Sequence, residues 1–524
     1  MATADISPSL VGRTGRLAQI AAALRIGKLP VVIWLYLLTI AAPVGFSVGP
    51  LSLSGMRVLL ILTFFPLIFM LLSKRAGPLI PTDILFALHI LWATLAIAVN
   101  NPSRVVENMG STGIEFAGGY LLGRVMIRTP EQFMALCRAL FLLIALLLPF
   151  ALIEVRTGKS IPLEFIRSLP GLETFSDVNA PKRMGLERVQ SVFAHPIHYG
   201  VFSSLMFPMA FIGFRQTFST LTRFVVSGLI ALSVFLSLSS GALLALMIQL
   251  GLISWAFIFR GTVHRWRILV GLLVFLYVVI DLLSNRTPVD VFMTYATFSA
   301  QTAFWRRTIF EWGMINVWAN PILGLGLRNW IRPSWMNSGS MDNFWLVMTV
   351  RYGIPGFLLL AAGYLDLIRR IARRDLAADP AVARLRLAWV ITFLGLTFSL
   401  STVHIWTAVY SFTFFLVGAG VWLVHYEPRG VPAPAATVGT GRGAASHARA
   451  GTVPAFSRTK ADKPSPPRAA APFARTWPTA ADGQRQYLPD APPERQKLRF
   501  TRFAPQDITA PEPDDPKNEE RRGH

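Results

Sequence analysis

An acid and an amide stand directly before a long apolar segment in residues 341–356, which read MDNFWLVMTVRYGIPG. A charged side chain at the edge of a hydrophobic stretch is costly to keep there and is often functional. Asp342 could serve as a general base, because a carboxylate shielded from bulk water accepts protons more readily. Two simpler roles compete with this one. Asp342 could cap the following helix, or it could lie hydrated at the membrane surface without a function.

Basic residues gather in two long polar segments, residues 154–197 and 284–342. Guanidinium groups bind phosphate oxygens in pairs and stay charged at any pH, so a cluster of them suggests a phosphate or diphosphate ligand. Simple contact with the surface or with lipid headgroups is the alternative for most of these residues. In residues 302–318 the apolar positions recur at helical spacing, which predicts an amphipathic helix at the membrane interface. The basic residues are Arg156, Lys159, Arg167, Lys182, Arg183, Arg188, Arg286, Arg306, Arg307, Arg328 and Arg332.

His195 and His198 flank Pro196 and should lie close together. Two histidines without a third nearby ligand are usually structural, so we predict no metal site and no cofactor. The segment SLSSG, residues 237–241, is interpreted as a tight turn between two spans, with a glycine that permits close backbone approach.

Composition predicts an all-α polytopic membrane protein. Of the 524 residues 53% are hydrophobic and 15% are charged, and the mean hydropathy is +0.49. Apolar runs near the length that crosses a bilayer recur along the chain and suggest about twelve spans. The runs are residues 29–48, 59–73, 84–99, 113–125, 140–152, 201–214, 224–238, 242–259, 268–283, 344–367, 387–400 and 405–424.

The distribution of positive charge predicts the orientation. Lysine and arginine cluster before the first span and in every second connection, which places both termini in the cytoplasm. The net charge of +22 then reflects loops beside anionic lipid, and we expect no nucleic-acid partner. Cys137 is the only cysteine, so an intramolecular disulfide is impossible.

Three regions follow from the composition. Residues 1–28 form a basic cytoplasmic leader, and residues 29–426 form the transmembrane domain, with both long loops on the outer face. Residues 427–524 are rich in Pro, Ala, Gly, Thr and Arg and are expected to be a disordered cytoplasmic tail. The tail is either a solubilising extension or a docking segment for cytoplasmic partners. No internal repeat of the kind found in many transporters is visible.

At these residues the chain resembles the O-antigen ligase and Wzy-type polysaccharide polymerase family of bacterial inner-membrane glycosyltransferases. Residues 188–200, RVQSVFAHPIHYG, are similar to an arginine and histidine-proline block that ends a periplasmic loop. Residues 305–330 resemble an arginine-bearing helix followed by a proline and a Gly-x-Gly turn. Asn343, Gly353 and Gly356 fit the pattern of histidine, then Asn, Ser or Gln, nine residues, Gly, two residues, Gly.

Two departures from the family pattern bear on the reaction. Asp342 stands where ligases usually carry the histidine, and SLSSG occupies the place of a turn that often reads Ser-Arg-Gly. The first departure favours the polymerase branch, in which the signature is looser, and it lets the base role pass to a carboxylate.

The resemblance implies a metal-independent inverting transfer of a glycan from undecaprenyl diphosphate to a hydroxyl of another glycan, in the periplasmic leaflet. Arg188, Arg306 and Arg307 would bind the diphosphate. Asp342 or His195 would take the acceptor proton, and Asn343 would help position it. A ligase that transfers polymer to a lipid acceptor and a transporter or flippase are the alternatives. Expected partners are the lipid-linked glycan, membrane lipid, and a chain-length regulator or flippase of the same pathway.

Overall fold

The apolar runs fold as helices, because a chain in lipid must satisfy its backbone hydrogen bonds internally. The structure, a computed structural model, describes residues 27–48, 51–284, 288, 291, 300–336 and 338–428. The leader, apart from residues 27 and 28, and the tail, apart from residues 427 and 428, lie outside the described residues. So do Arg286 and several other positions of the second polar segment.

Sixteen helices and one hairpin are described here in chain order. A hairpin pairs β1 (Gly45–Val48) with β2 (Leu51–Ser54) in antiparallel register, Gly45 opposite Ser54. The helices are α1 (Val31–Ala41), α2 (Gly55–Leu72), α3 (Pro81–Asn100), α4 (Val105–Asn108), α5 (Ile114–Met126), α6 (Pro130–Thr157), α7 (Ile161–Arg167), α8 (Pro196–Ser204), α9 (Thr220–Leu236), α10 (Ser240–Ile258), α11 (Arg265–Leu283), α12 (Ala300–Ala319), α13 (Phe344–Arg373), α14 (Pro380–Leu400), α15 (Thr407–Ala419) and α16 (Trp422–His425).

The all-α multi-pass architecture is confirmed. Each of the twelve apolar runs is helical over at least part of its length. Within the described residues, eight helices are long and apolar enough to cross a membrane, and two shorter apolar helices are α1 and α9. The first predicted span was too long, since α1 ends at Ala41 and the chain then enters the hairpin through Pro43.

The tightest packing joins α5 to α15. A Cβ added at Gly123 would lie 2.0 Å from the carbonyl oxygen of Phe415, and one added at Gly119 would lie 2.5 Å from that of Ser411. Gly119 and Gly123 form a GxxxG pair, the small-residue spacing that lets two membrane helices approach closely. The weak span predicted at residues 113–125 is therefore a central packing element.

Two buried carboxylates in the bundle are paired with arginines. Glu115, on α5, accepts a hydrogen bond from Arg57 Nε at 2.9 Å. Arg124, at the other end of α5, lies 3.3 Å from an Asp83 oxygen that also accepts from Tyr120. Because each carboxylate has a cation beside it, these groups hold helices together and stand apart from the arginines discussed below.

A break in α13 joins two of the sequence motifs. Gly353 has φ +74° and ψ 174°, a backbone conformation essentially restricted to glycine. The turn that follows α12 packs into this break: Ile354 N donates to Pro321 O at 2.8 Å, and Leu325 N donates to Val350 O at 2.7 Å. This turn approaches α13 at Gly353, and α3 approaches it at Gly356.

Replacing Gly353 by alanine should sharply reduce the folded yield. A Cβ there would lie 1.9 Å from Ile322 O, and the backbone conformation alone is unfavourable by about 1–3 kcal/mol for other residues. Gly251 on α10 is the matched control, since a Cβ there meets nothing within 4 Å and alanine favours a helix. Thermal stability of both variants in detergent, followed by size-exclusion chromatography, checks this. Equal melting of the two variants would contradict it.

Candidate functional site

Both long polar segments meet at one end of the helix bundle, called the site end here. Val189 N donates to Leu236 O at 3.2 Å, which joins the first segment to the turn after α9. Phe344 N donates to Val403 O at 3.0 Å, which joins the start of α13 to the loop between α14 and α15. Residues far apart in sequence are therefore neighbours at this end.

Arg306 reaches the site end from α12 and is only 8% exposed. Its Nη2 donates to Ser240 Oγ at 2.8 Å. Nε and Nη1 are buried, and no partner for either lies in the described part of the chain. A buried donor without an acceptor is unfavourable, and a cation even more so. The Arg306 guanidinium therefore has two donors available for an anionic ligand.

Two further arginines come from the irregular segment before α8. Arg183 Nη1 donates to Leu238 O at 2.7 Å, within the same turn that carries Ser240. Arg188 is partly buried, and its Nε has no partner among the described residues. The SLSSG turn, predicted only as a connection, thus anchors two arginines from different segments.

A buried carboxylate holds the backbone next to Arg188. Glu154 accepts hydrogen bonds from Gln190 N at 2.7 Å and from Ser191 N at 3.0 Å. Glu154 was predicted to begin the first polar loop, but α6 continues through it to Thr157 and the irregular segment begins after that. Glu154 therefore works as a fixed anchor for the segment that presents Arg188.

One carboxylate acts on all three guanidinium groups. Burial lowers the pKa of Arg188 to about 10, the charge of Arg183 adds to this, and Asp342 opposes it. Burial likewise lowers the pKa of Arg306 to about 10, with Asp342 raising it and Arg183 lowering it. The pKa of Arg183 is lowered by burial and raised by Asp342. All three stay protonated at neutral pH, so the site concentrates positive charge around a single acid.

Asp342 is half-buried and does not cap α13. Its Oδ1 accepts a hydrogen bond from Ser340 Oγ at 3.1 Å. The cap is Asn343, whose Oδ1 accepts from Leu346 N at 3.1 Å. The capping role considered for Asp342 was therefore wrong by one residue. Because Asn343 takes that role, the carboxylate of Asp342 can face the arginines.

Comparison with known families agrees with this geometry. Residues 224–361 match the family model described as O-antigen ligase, Wzy_C. This region of the chain resembles the O-antigen ligase family. No curated protein matches the chain significantly.

The O-antigen ligase region contains part of the site. It includes Ser240, Arg306 and Asp342, whereas Arg183 and Arg188 precede it along the chain. With its membrane helices, the match supports a multi-pass membrane enzyme of polysaccharide metabolism that resembles glycosyltransferases. Arg183 and Arg188 lie outside the match in sequence, and the folding of the chain brings them to the site end.

His195 precedes the matched region in sequence and caps the N-terminus of α8. Its Nδ1 accepts from Ile197 N at 3.1 Å. A backbone N–H can only donate, so the proton of the neutral ring is on Nε2. Burial, then the charges of Arg188 and Arg183, lower the pKa of His195 to about 4, which keeps the ring neutral at pH 7. In this tautomer His195 therefore offers a donor at Nε2, and its Nδ1 is already occupied as an acceptor.

A third histidine joins the two that the sequence singled out. Trp406 lies with its ring centroid 4.0 Å from that of His198 and 5.8 Å from those of both His195 and His404. Among the described residues, no three His, Cys, Asp or Glu side chains gather as a metal site. The indole of Trp406 is 36% exposed, which leaves an aromatic surface beside polar rings.

Arg307, predicted with Arg306 to bind the diphosphate, occupies a different environment. Its Nε donates to Glu311 at 2.8 Å, and both side chains are 53% exposed. A surface pair of this kind leaves the guanidinium largely hydrated. The two neighbours on α12 thus differ strongly in burial, and Arg306 is the stronger candidate.

Sequence reasoning did not select Arg183 or His404 as site residues. Arg183 is one of six basic residues within residues 154–197, and its type alone does not distinguish it from the others. Its hydrogen bond to the turn before α10 distinguishes it. His404 carries no motif and lies about 200 residues from His198. Only the helix packing brings them near each other.

Proposed function

We propose that this protein is a polysaccharide polymerase that joins oligosaccharide units carried on undecaprenyl diphosphate by inverting glycosyl transfer. The observation that supports this most is the meeting of Arg183, Arg188 and Arg306 around Asp342. Arg188 and Arg306 have buried donors without a partner among the described residues, which suits a diphosphate, and a single carboxylate suits a proton acceptor.

In the proposed reaction, the acceptor hydroxyl attacks the anomeric carbon of the donor glycan from the face opposite the diphosphate. The new C–O bond forms as the bond from the anomeric carbon to the diphosphate oxygen breaks, and that oxygen leaves with the bonding electrons. Asp342 takes the hydroxyl proton. Arg188 and Arg306 stabilise the negative charge that develops on the leaving group, as positioned donors in a shielded site do.

Several groups would orient the sugars. The exposed part of Trp406 offers an aromatic surface, and the Nε2–H of His195 can donate to a sugar hydroxyl or a phosphate oxygen. Pockets that combine aromatic surface with a few fixed polar groups are typical of small-molecule sites. Asn343 would act through the helix cap that fixes the direction of α13.

The proposed orientation puts the site end in the periplasm and both termini in the cytoplasm of a bacterial inner membrane. Lys74, Arg75, Arg128 and Arg374 lie at the opposite end, as the positive-inside rule requires of a cytoplasmic face. The lipid-linked donor would then reach the arginines from the outer leaflet.

A ligase that transfers finished polymer to a lipid acceptor is the second candidate. The description of the matching family favours it. The position of Asp342, where the ligase pattern has histidine, favours the polymerase. Both reactions release the same diphosphate, so the arginines do not distinguish them. A transporter or flippase is less well supported, because the charges gather at one end beside a candidate base.

The products that accumulate without the protein test the proposal. We expect a strain lacking it to lose polymer and to accumulate single repeat units on the lipid carrier, with recovery when the wild-type gene is restored. The measurement is gel analysis of polysaccharide and lipid-linked intermediates. Full-length polymer retained on the carrier would identify a ligase instead. Unchanged polymer and intermediates would exclude both activities.

A further inference from the structure

A second basic cavity lies at the end of the bundle opposite the site end. Its volume is about 260 Å³, which is large compared with the roughly 30 Å³ that one water takes up in the liquid. It opens where the connection after α2, the connection after α5 and the short helix α16 meet. Its principal lining residues are Arg75, Arg124, Arg128, Trp422, His425 and Tyr426.

Two ring nitrogens in this lining are buried without a partner in the described part of the chain. They are Trp422 Nε1, on a residue only 5% exposed, and His425 Nε2. An indole N–H is a donor only, so the Trp422 ring requires an acceptor atom to complete its hydrogen bonding. The cavity beside it is the space from which an acceptor could come.

The charges around the cavity favour an anionic acceptor. Arg75 and Arg128 are exposed at its rim, and neither forms an ion pair within the described residues. Arg128 donates through Nη1 to the backbone oxygen of Arg75, which holds the two residues together. Guanidinium groups at the rim of one cavity can both donate to the oxygens of a phosphate group.

Arg124 lines the cavity, and its side chain is held in place by hydrogen bonds. Its guanidinium donates to Ala76 O at 2.7 Å and to Pro78 O at 2.8 Å, and it also contacts Asp83. These bonds fix the backbone that carries Arg75. The positive charge of Arg124 is largely balanced by Asp83, so the rim arginines would provide the attraction for a ligand.

We propose that this cavity binds the phosphate group of an anionic ligand, and that the ligand is the headgroup of a membrane lipid. The cavity lies where apolar helices end, which is the level of lipid headgroups, and Trp422 and Tyr426 are residues typical of that level. Basic pockets between membrane helices are suited to anionic headgroups. This inference does not depend on the proposed glycosyl transfer.

Lipid retention by the full-length protein tests this inference. Detergent-purified protein is mixed with equal amounts of phosphatidylglycerol and phosphatidylcholine, and bound lipids are counted by native mass spectrometry. We expect wild type to retain phosphatidylglycerol preferentially. In the double variant Arg75→Gln with Arg128→Gln, the ratio of bound phosphatidylglycerol to bound phosphatidylcholine should fall about tenfold. In the variant Trp422→Phe, which keeps an aromatic ring but removes the N–H, the same ratio should fall about threefold.

The matched control is Arg215→Gln with Arg260→Gln, which removes two exposed arginines outside the cavity. It should retain phosphatidylglycerol as wild type does. Equal losses in the control and the cavity variants would overturn the inference, since charge anywhere on that face would then suffice. No preference in the wild type would also overturn it.

Soluble phosphates distinguish the source of the ligand. We expect inorganic phosphate and glycerol 3-phosphate at millimolar concentration to leave bound phosphatidylglycerol in place, because neither has acyl chains in the membrane. Displacement by either would overturn the lipid assignment and identify a free phosphate as the ligand. Size-exclusion profiles like that of the wild type for all variants would show that the losses do not come from misfolding.

Discussion

Replacing Arg306 by alanine should reduce polymer formation about 100-fold to 1000-fold, the effect expected when one preorganised donor to a developing negative charge is removed. Arg306 is buried, has two donors without a partner among the described residues, and is held by Ser240. The loss should appear mainly in the rate of transfer. Membrane insertion and helix packing should persist, since alanine is well tolerated in a helix. Polymer yield and lipid-linked intermediates in cells carrying the variant provide the measurement.

Arg307 on the same helix is the matched control for that experiment. It is half-exposed and pairs with Glu311, so Arg307→Ala should reduce activity far less than Arg306→Ala. The variant Arg306→Lys should recover only part of the activity, because a lysine keeps the charge and lacks the paired donors. Comparable losses at both positions would mean that both arginines bind the leaving group. Normal polymer from Arg306→Ala would remove the diphosphate hypothesis.

Asp342→Asn should lower activity by about 100-fold to 10,000-fold, which is the range for loss of a general base. Asparagine keeps the size of the side chain and can still accept from Ser340, so the local fold should be retained. The amide cannot take up the acceptor proton. Single-turnover transfer from a lipid-linked donor, measured with purified protein, would separate this loss from any change in binding.

The substitutions His195→Gln and Ser340→Ala test whether Asp342, and not a neighbour, is the base. His195 donates at Nε2 in the observed tautomer, so its loss should weaken donor binding more than it slows transfer. Ser340→Ala removes only the hydroxyl that donates to Asp342 and should have a small effect. If His195→Gln abolished transfer while Asp342→Asn retained it, histidine would be the base and the assignment here would be wrong.

The membrane helices could be predicted from the sequence because their determinant is local. A run of apolar residues must form its backbone hydrogen bonds within itself in lipid, whatever its neighbours are. The same reasoning overestimated the first span, because it does not detect the strand pair Gly45–Val48 and Leu51–Ser54. It also undervalued residues 113–125, where glycines lower the hydropathy but allow α5 to contact α15 directly.

Sequence by itself determined the class of the protein and the types of residue that could act: an all-α membrane protein with arginines, histidines and one acid beside a helix start. The tertiary structure alone decided which of them meet. Arg183 and Arg306 are joined through the turn before α10, while Arg307 points to a different environment from its neighbour. Chemical type is a property of one residue, whereas burial and unsatisfied hydrogen bonding depend on distant segments that only packing brings together.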